Sequence, residues 1–159
     1  MARRSFRIGI IVFIIISTLT AGVSHSAIEA AARESIQPDK VPGPRVRLDL
    51  NPAQKEALKE TMREHLSALE AIVAALARQD YQKAAAVAHS ELGFPKHHEA
   101  MQREKDASLP KKYQELAIEH HQAAEELAEA ISAKETAAIL QQLAKTIRTC
   151  NACHRVYRF

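Results

Sequence analysis

Glycine and proline are scarce in this 159-residue chain, at four and six residues, and aromatic side chains make up only 4%, with no tryptophan. So few turn formers exclude a turn-rich all-β fold, and the long Ala/Leu/Glu/Lys/Gln stretches favour helices. No apolar run of 18 residues lies beyond the N-terminus, which excludes a protein with several membrane spans. Two cysteines cannot make a disulfide framework. No paired carboxylates or nucleophile–base pattern stands out, so an enzyme is not indicated. What is present, 47% hydrophobic and 26% charged, suits one compact domain.

Residues 1–26 carry the pattern of an export signal peptide. Arg3, Arg4 and Arg7 lead into an Ile-rich run from Ile8 to Leu19, and Ser24-His25-Ser26 satisfies the small-x-small cleavage rule, placing the mature start near Ala27. Arg3-Arg4-Ser5-Phe6 looks like part of a twin-arginine signal, whereas the hydrophobic stretch after it favours the general secretory route. The alternative keeps the segment as a membrane anchor, although its apolar run falls short of the roughly 20 residues a span needs. Removing it takes three of the 22 basic residues and none of the 19 acidic ones, so a net charge of +3 becomes zero. That balance is no argument for a nucleic-acid partner. Export to the periplasm places the chain in a disulfide-permissive compartment, with no membrane span once the signal is gone.

Residues 27–47 read as an extended lead-in, since the stretch from Arg33 to Asn51 holds Pro38, Pro42, Gly43 and Pro44 without apolar periodicity. The domain proper is 48–159. Asn51-Pro52 supplies an N-cap and a first-turn proline. From there Leu58, Met62, His65, Leu66, Leu69, Ile72, Val73 and Leu76 recur at helical spacing. Asp80 caps a second helix with Tyr81, Ala84, Val87, Ala88 and Leu92, and Gly93 ends it. Residues 94–110 read as a long crossover with a short helix inside. A third helix after Pro110 carries Tyr113, Leu116, His120, Ala124, Leu127 and Ile131, and a fourth from near Lys134 carries Ile139, Leu140, Leu143, Ile147, Cys150 and His154. Four amphipathic stripes with modest connections predict an all-α fold, an antiparallel four-helix bundle.

Both cysteines sit in Cys150-Asn151-Ala152-Cys153-His154, a CxxCH sequence at the end of the last helix. Residues three apart on a helix lie about 60° apart around the axis, and residues four apart about 40°. Cys150, Cys153 and His154 can therefore face one flat object. Two thioether bonds to haem vinyl groups and an axial imidazole on the iron are the chemistry that this spacing serves, so the signature reads as attachment of one haem c. Three alternatives stay open. Thioredoxin-like CxxC chemistry sits at a helix start after a strand, unlike this motif. A structural zinc site needs a fourth ligand, which His97 or His98 could supply. The match could also be fortuitous.

The tail Cys150-Asn-Ala-Cys-His-Arg-Val-Tyr157-Arg158 resembles the CxxCHxxYR ending of the class II cytochromes c, the cytochrome c-prime family and its low-spin relatives. The likeness runs over roughly Leu48–Phe159. It implies a haem-bearing four-helix bundle, an electron-transfer role with redox proteins as partners, and in many members a homodimer. It also implies that Arg158 lies near the haem with Tyr157 beside it. In low-spin members a methionine of the first helix caps the iron, and Met62, in Met62-Arg63-Glu64-His65-Leu66, matches that position. A thioether is soft and uncharged, suits buried iron and raises its potential. Met62 as a mere gap filler is the plain alternative. His65 and His120 are rival axial ligands, His97, His98 and Met101 fall in the crossover, and the doublets His97-His98 and His120-His121 are expected half solvated.

Lys145, Arg148, Arg155 and Arg158 follow Thr136 with no acidic residue among them. Cations favour a helix C-terminus by roughly 0.3–1 kcal/mol each. They would also neutralise haem propionates and offer a positive rim to an acidic redox partner. The expectation is a periplasmic mono-haem electron carrier with His154/Met62 ligation. The alternative is a five-coordinate binder of nitric oxide or carbon monoxide.

Overall fold

The structure, a computed structural model, describes residues 43–159. The expected signal peptide and most of the lead-in lie outside the described residues. What is described is all-α apart from one short pair of strands.

Helix α1 (Pro52–Ala77) starts where Asn51 and Pro52 place it. The Asn51 side chain accepts from the Gln54 N–H and Gln54 Oε1 accepts from the Asn51 N–H, each at 2.9 Å, so two end groups of the backbone are satisfied reciprocally. The buried line is Leu58, Thr61, His65, Ala68, Ile72 and Ala75. Leu66 and Val73, expected on the inner face, are 70% and 51% exposed. Each follows a buried residue by one position, about 100° further round the helix. Small and polar residues hold the seam there, and an apolar tally does not see them.

Helix α2 (Tyr81–Val87) is capped by Asp80, whose carboxylate accepts from the Lys83 N–H at 3.1 Å. It widens into a π turn over Ala88–Leu92 that ends at Gly93. Gly93 is extended (φ −78°), so it is not there for left-handed freedom. A Cβ would collide with the Glu125 carboxylate and the His89 carbonyl. That carboxylate accepts from the Phe94 N–H at 2.8 Å and meets His89 Nδ1 at 2.7 Å.

The crossover holds a full helix, α3 (Phe94–Glu104). It lacks an apolar stripe because charge holds it. Lys96 is buried and reaches Glu64 at 3.1 Å and Glu99 at 3.0 Å, while Arg103 reaches the same two carboxylates at 2.8 and 2.7 Å. Glu64 belongs to α1, so the network ties the crossover to the first helix. The Arg103 hydrogen bond holds the Glu64 carboxyl below its ordinary range.

Helix α4 (Lys111–Ala133) buries every residue of its expected stripe. It packs against α2, the π turn, α3 and α5 (Thr136–Val156). Lys134 closes α4 in the left-handed region (φ 61°) rather than opening α5, and Gln79 (φ 58°) plays the same part after α1. On α5, Ile139 and Thr146 are buried and Leu140 and Ile147 are exposed, another departure from the expected stripe. Thr146 fits the seam because its hydroxyl lies 3.1 Å from the Ala123 carbonyl and 3.0 Å from that of Gln142. Strand β1 (Val46–Arg47) pairs in parallel with β2 (Tyr157–Arg158), Val46 opposite Tyr157, and the Leu48 N–H donates to Arg158 O at 2.8 Å. The residues after the CxxCH motif are thus clamped by those just before α1.

Apolar packing falls into two clusters. One gathers Ala68, Ile72, Ala84, Leu92, Leu127 and Ile139, and the other Leu48, Leu58, Tyr113, Leu116 and Tyr157. Met62 and His65 on α1, His120 and His121 on α4, and Cys150 on α5 fall in sequence between residues of the two clusters. A cavity opens there.

Candidate functional site

The cavity has a volume of about 560 Å³, and its wall includes Met62, His65, His120, Cys150, Cys153 and His154. Cofactor sites commonly fall within about 300–1,000 Å³. Leu66, Met101, Ile118 and Phe159 also line it, each at least a third exposed. Four large apolar side chains half in water around one hollow mark a surface shaped for an apolar ligand.

The CxxCH motif is helical throughout, which lets both sulfurs and the following imidazole reach this hollow. Cys150 Sγ lies 3.5 Å from the Thr146 carbonyl and 3.6 Å from His120 Nδ1. Burial pushes the Cys150 thiol up, and burial followed by the neighbouring Cys150 pushes Cys153 up to about 11. A nucleophilic CxxC needs a depressed thiol pKa, so these shifts oppose thioredoxin-like chemistry. His154 is exposed at the edge, and its backbone carbonyl accepts from Arg45 at 3.5 Å. Met62, half-buried on α1, reaches the same cavity.

Arg158 does not line the cavity. It is exposed, in β2, and its Nε donates to the Arg45 carbonyl at 3.3 Å. Tyr157 does line the cavity and stacks edge-on to Tyr113 with ring centroids 5.6 Å apart. Of the basic residues before the tail, Lys145 is paired with Glu126.

The structure adds a group of histidines whose convergence the periodicity does not reveal. His65, His120 and His121 are all buried, and each offers a ligand atom within 4.8 Å of the others. The doublet His120-His121, expected half solvated, is enclosed because α4 is packed on several sides at once. His65 and His120 rings lie 5.0 Å apart, and His97 stands 4.7 Å from His121. Burial, ahead of repulsion from His121 on His65, from His65 on His120 and from His97 on His121, holds the rings down to about 4 for His65, about 3 for His120 and about 4 for His121. They are neutral at physiological pH. His121 Nδ1–H donates to the Leu92 carbonyl at 2.6 Å. Thr149 Oγ1 donates to Thr146 O at 2.6 Å, so at 3.1 Å it accepts from His120 Nδ1–H. His65 Nε2 and His120 Nε2 are buried with no hydrogen-bond partner. The adjacent pair His120-His121 is visible in the sequence, but its meeting with His65 depends on how α1 and α4 are rotated against each other.

These features fit a haem. The hollow is of suitable size and apolar lining, both sulfurs and His154 reach it from α5, and donors on α1 and α4 line it as well. Comparison with protein-family models, with curated proteins and with solved structures returned no match to this chain.

Proposed function

We propose that this protein is an exported mono-haem c-type cytochrome of the class II kind, an electron-transfer protein in which α1, α2, α4 and α5 form an antiparallel four-helix bundle around the haem. One observation carries the reading: Cys150, Cys153, His154 and the distant Met62 line a single apolar cavity. Cys150 and Cys153 would hold the haem through thioethers, and His154 and Met62 would ligate its iron. When bound, the iron supplies a one-electron ferric/ferrous couple.

The chain's own residues account for the rest. Leu58, Leu116 and Tyr157 would give the haem an apolar wall on the inner side of the hollow. Neither a thioether nor an imidazole already on iron carries a titrating proton near neutrality, so the ligand set would hold through the cycle. Arg148 on α5 and Arg158 on β2, both exposed, would present positive charge to an acidic redox protein. The exposed apolar rim, Leu66, Met101, Ile118 and Phe159, would be covered by haem edge or partner.

The test is an absorption and pyridine haemochrome spectrum of full-length protein recovered from its own cell envelope. One haem c per chain, with low-spin bands and a methionine–iron charge-transfer feature, is the expected result. Colourless protein with two titratable thiols would reject the reading. A high-spin spectrum that shifts with nitric oxide or carbon monoxide would instead establish the five-coordinate alternative.

A further inference from the structure

His65, His120 and His121 outnumber what a haem in this cavity can use. A porphyrin iron already bound to His154 has one open axial position, and Met62 alone would fill it. At most one imidazole of the three could take its place. The surplus is also oriented. His121 and His120 each spend Nδ1–H on a fixed acceptor, the Leu92 carbonyl and the Thr149 hydroxyl, which leaves the Nε2 lone pairs free. Metal-binding histidines are held in this way, the far N–H donated to a carbonyl or hydroxyl so that the near nitrogen stays basic and aimed. His65 Nε2 and His120 Nε2 are the buried side-chain nitrogens without a partner among the described residues, and both residues are more than nine-tenths buried.

We propose that His65, His120 and His121 form a three-imidazole site for a late first-row divalent cation, zinc or copper, additional to whatever Cys150, Cys153 and His154 hold. Neutral imidazole nitrogens are the donors these borderline-soft ions favour, and a hard cation such as magnesium or calcium prefers oxygen. The ligand atoms lie within 4.8 Å of one another, and tetrahedral zinc with bonds of about 2.0 Å wants them roughly 3.3 Å apart. A small closure of α1 on α4 would supply the difference while the two Nδ1–H bonds keep the α4 rings in place. A water or small anion from the cavity would take the fourth position, because three protein ligands leave it open. The three imidazoles belong to α1 and α4 and the CxxCH group to α5, so the two ligand sets are separate, although both line one cavity and Cys150 Sγ lies 3.6 Å from His120 Nδ1.

The test uses full-length protein from its own envelope, stripped with chelator and then given zinc sulfate alone. One zinc per chain should survive gel filtration. The zinc K-edge absorption should show three imidazole nitrogens and one oxygen at about 2.0–2.1 Å. His120→Ala should weaken binding at least 100-fold. If that variant does not fold, Thr149→Val, which removes the acceptor that orients His120, should weaken it about 10-fold, as loss of an orienting partner does. No stoichiometric zinc, or an affinity unmoved by these variants, overturns the proposal. Sulfur scatterers near 2.3 Å would overturn it too, and with it the haem reading, by putting zinc on Cys150 and Cys153. A bis-histidine charge-transfer band from the haem would show an imidazole already committed to iron and defeat this proposal alone.

Discussion

Met62 and His65 stand one turn apart on α1 and both reach the cavity, yet their surroundings differ. Met62 is half-buried, whereas His65 is 8% exposed and its Nε2 has no partner. If the thioether is the axial ligand, Met62→Ala removes the soft donor that favours ferrous iron. The low-spin bands should then be lost and the potential should fall, by some part of the roughly 0.8 V over which axial ligands tune haem. Spectroscopy with a redox titration checks both, and an unchanged spectrum in the variant transfers the role to His65 or His120. At this scale the motif residues were legible, because CxxCH is a contiguous string. The meeting of His65 with His121 was not, since it depends on how two helices are rotated against each other.

Among elements, α1 announces itself at its start and misleads along its face. Asn51 and Pro52 mark the first turn without ambiguity, as the reciprocal bonds with Gln54 bear out. Asn51→Ala should cost about 1 kcal/mol, lowering the melting temperature by roughly 4 °C, measurable by thermal circular dichroism at 222 nm. An unchanged midpoint would mean that another group caps the helix. Along the face, Thr61, Ala68 and Ala75 hold the seam while Leu66 and Val73 point outward. Helix α3 leaves only a short helical mark in the sequence of the crossover for a related reason. Its packing rests on Lys96 and Arg103 against Glu64, and salt links across two helices leave no periodic trace in either one. No glycine marks the ends of α1 and α4, because Gln79 and Lys134 adopt the left-handed conformation there.

For the whole molecule, the buried imidazoles couple stability to pH. Folded-state values near 4, 3 and 4 lie below the ordinary 6.5, so under acid conditions the unfolded chain binds protons that the folded chain refuses. Their contribution is full above about pH 6.5 and is lost as pH falls through about 4. Glu64, held low chiefly by the Arg103 hydrogen bond, acts with the same sign further down, and Glu104, pushed up by burial, acts against it. The urea midpoint of the full-length protein should therefore drop between pH 7 and pH 4. A midpoint that stays level across that interval would show that the three rings are not held neutral by burial.

Local patterns in the chain determined the helical class, the capped starts of α1 and α2, the complete inner stripe of α4 and the CxxCH group, because each depends on residues within a turn or two of one another. Tertiary structure alone decided the rest: the cavity that Met62 lines together with the two cysteines, the charge-held α3, the clamp between β1 and β2, and the convergence of three histidines. Those features depend on distances between separate helices. The rotation and spacing of one helix against another come from side-chain packing, which periodicity along a single helix does not encode.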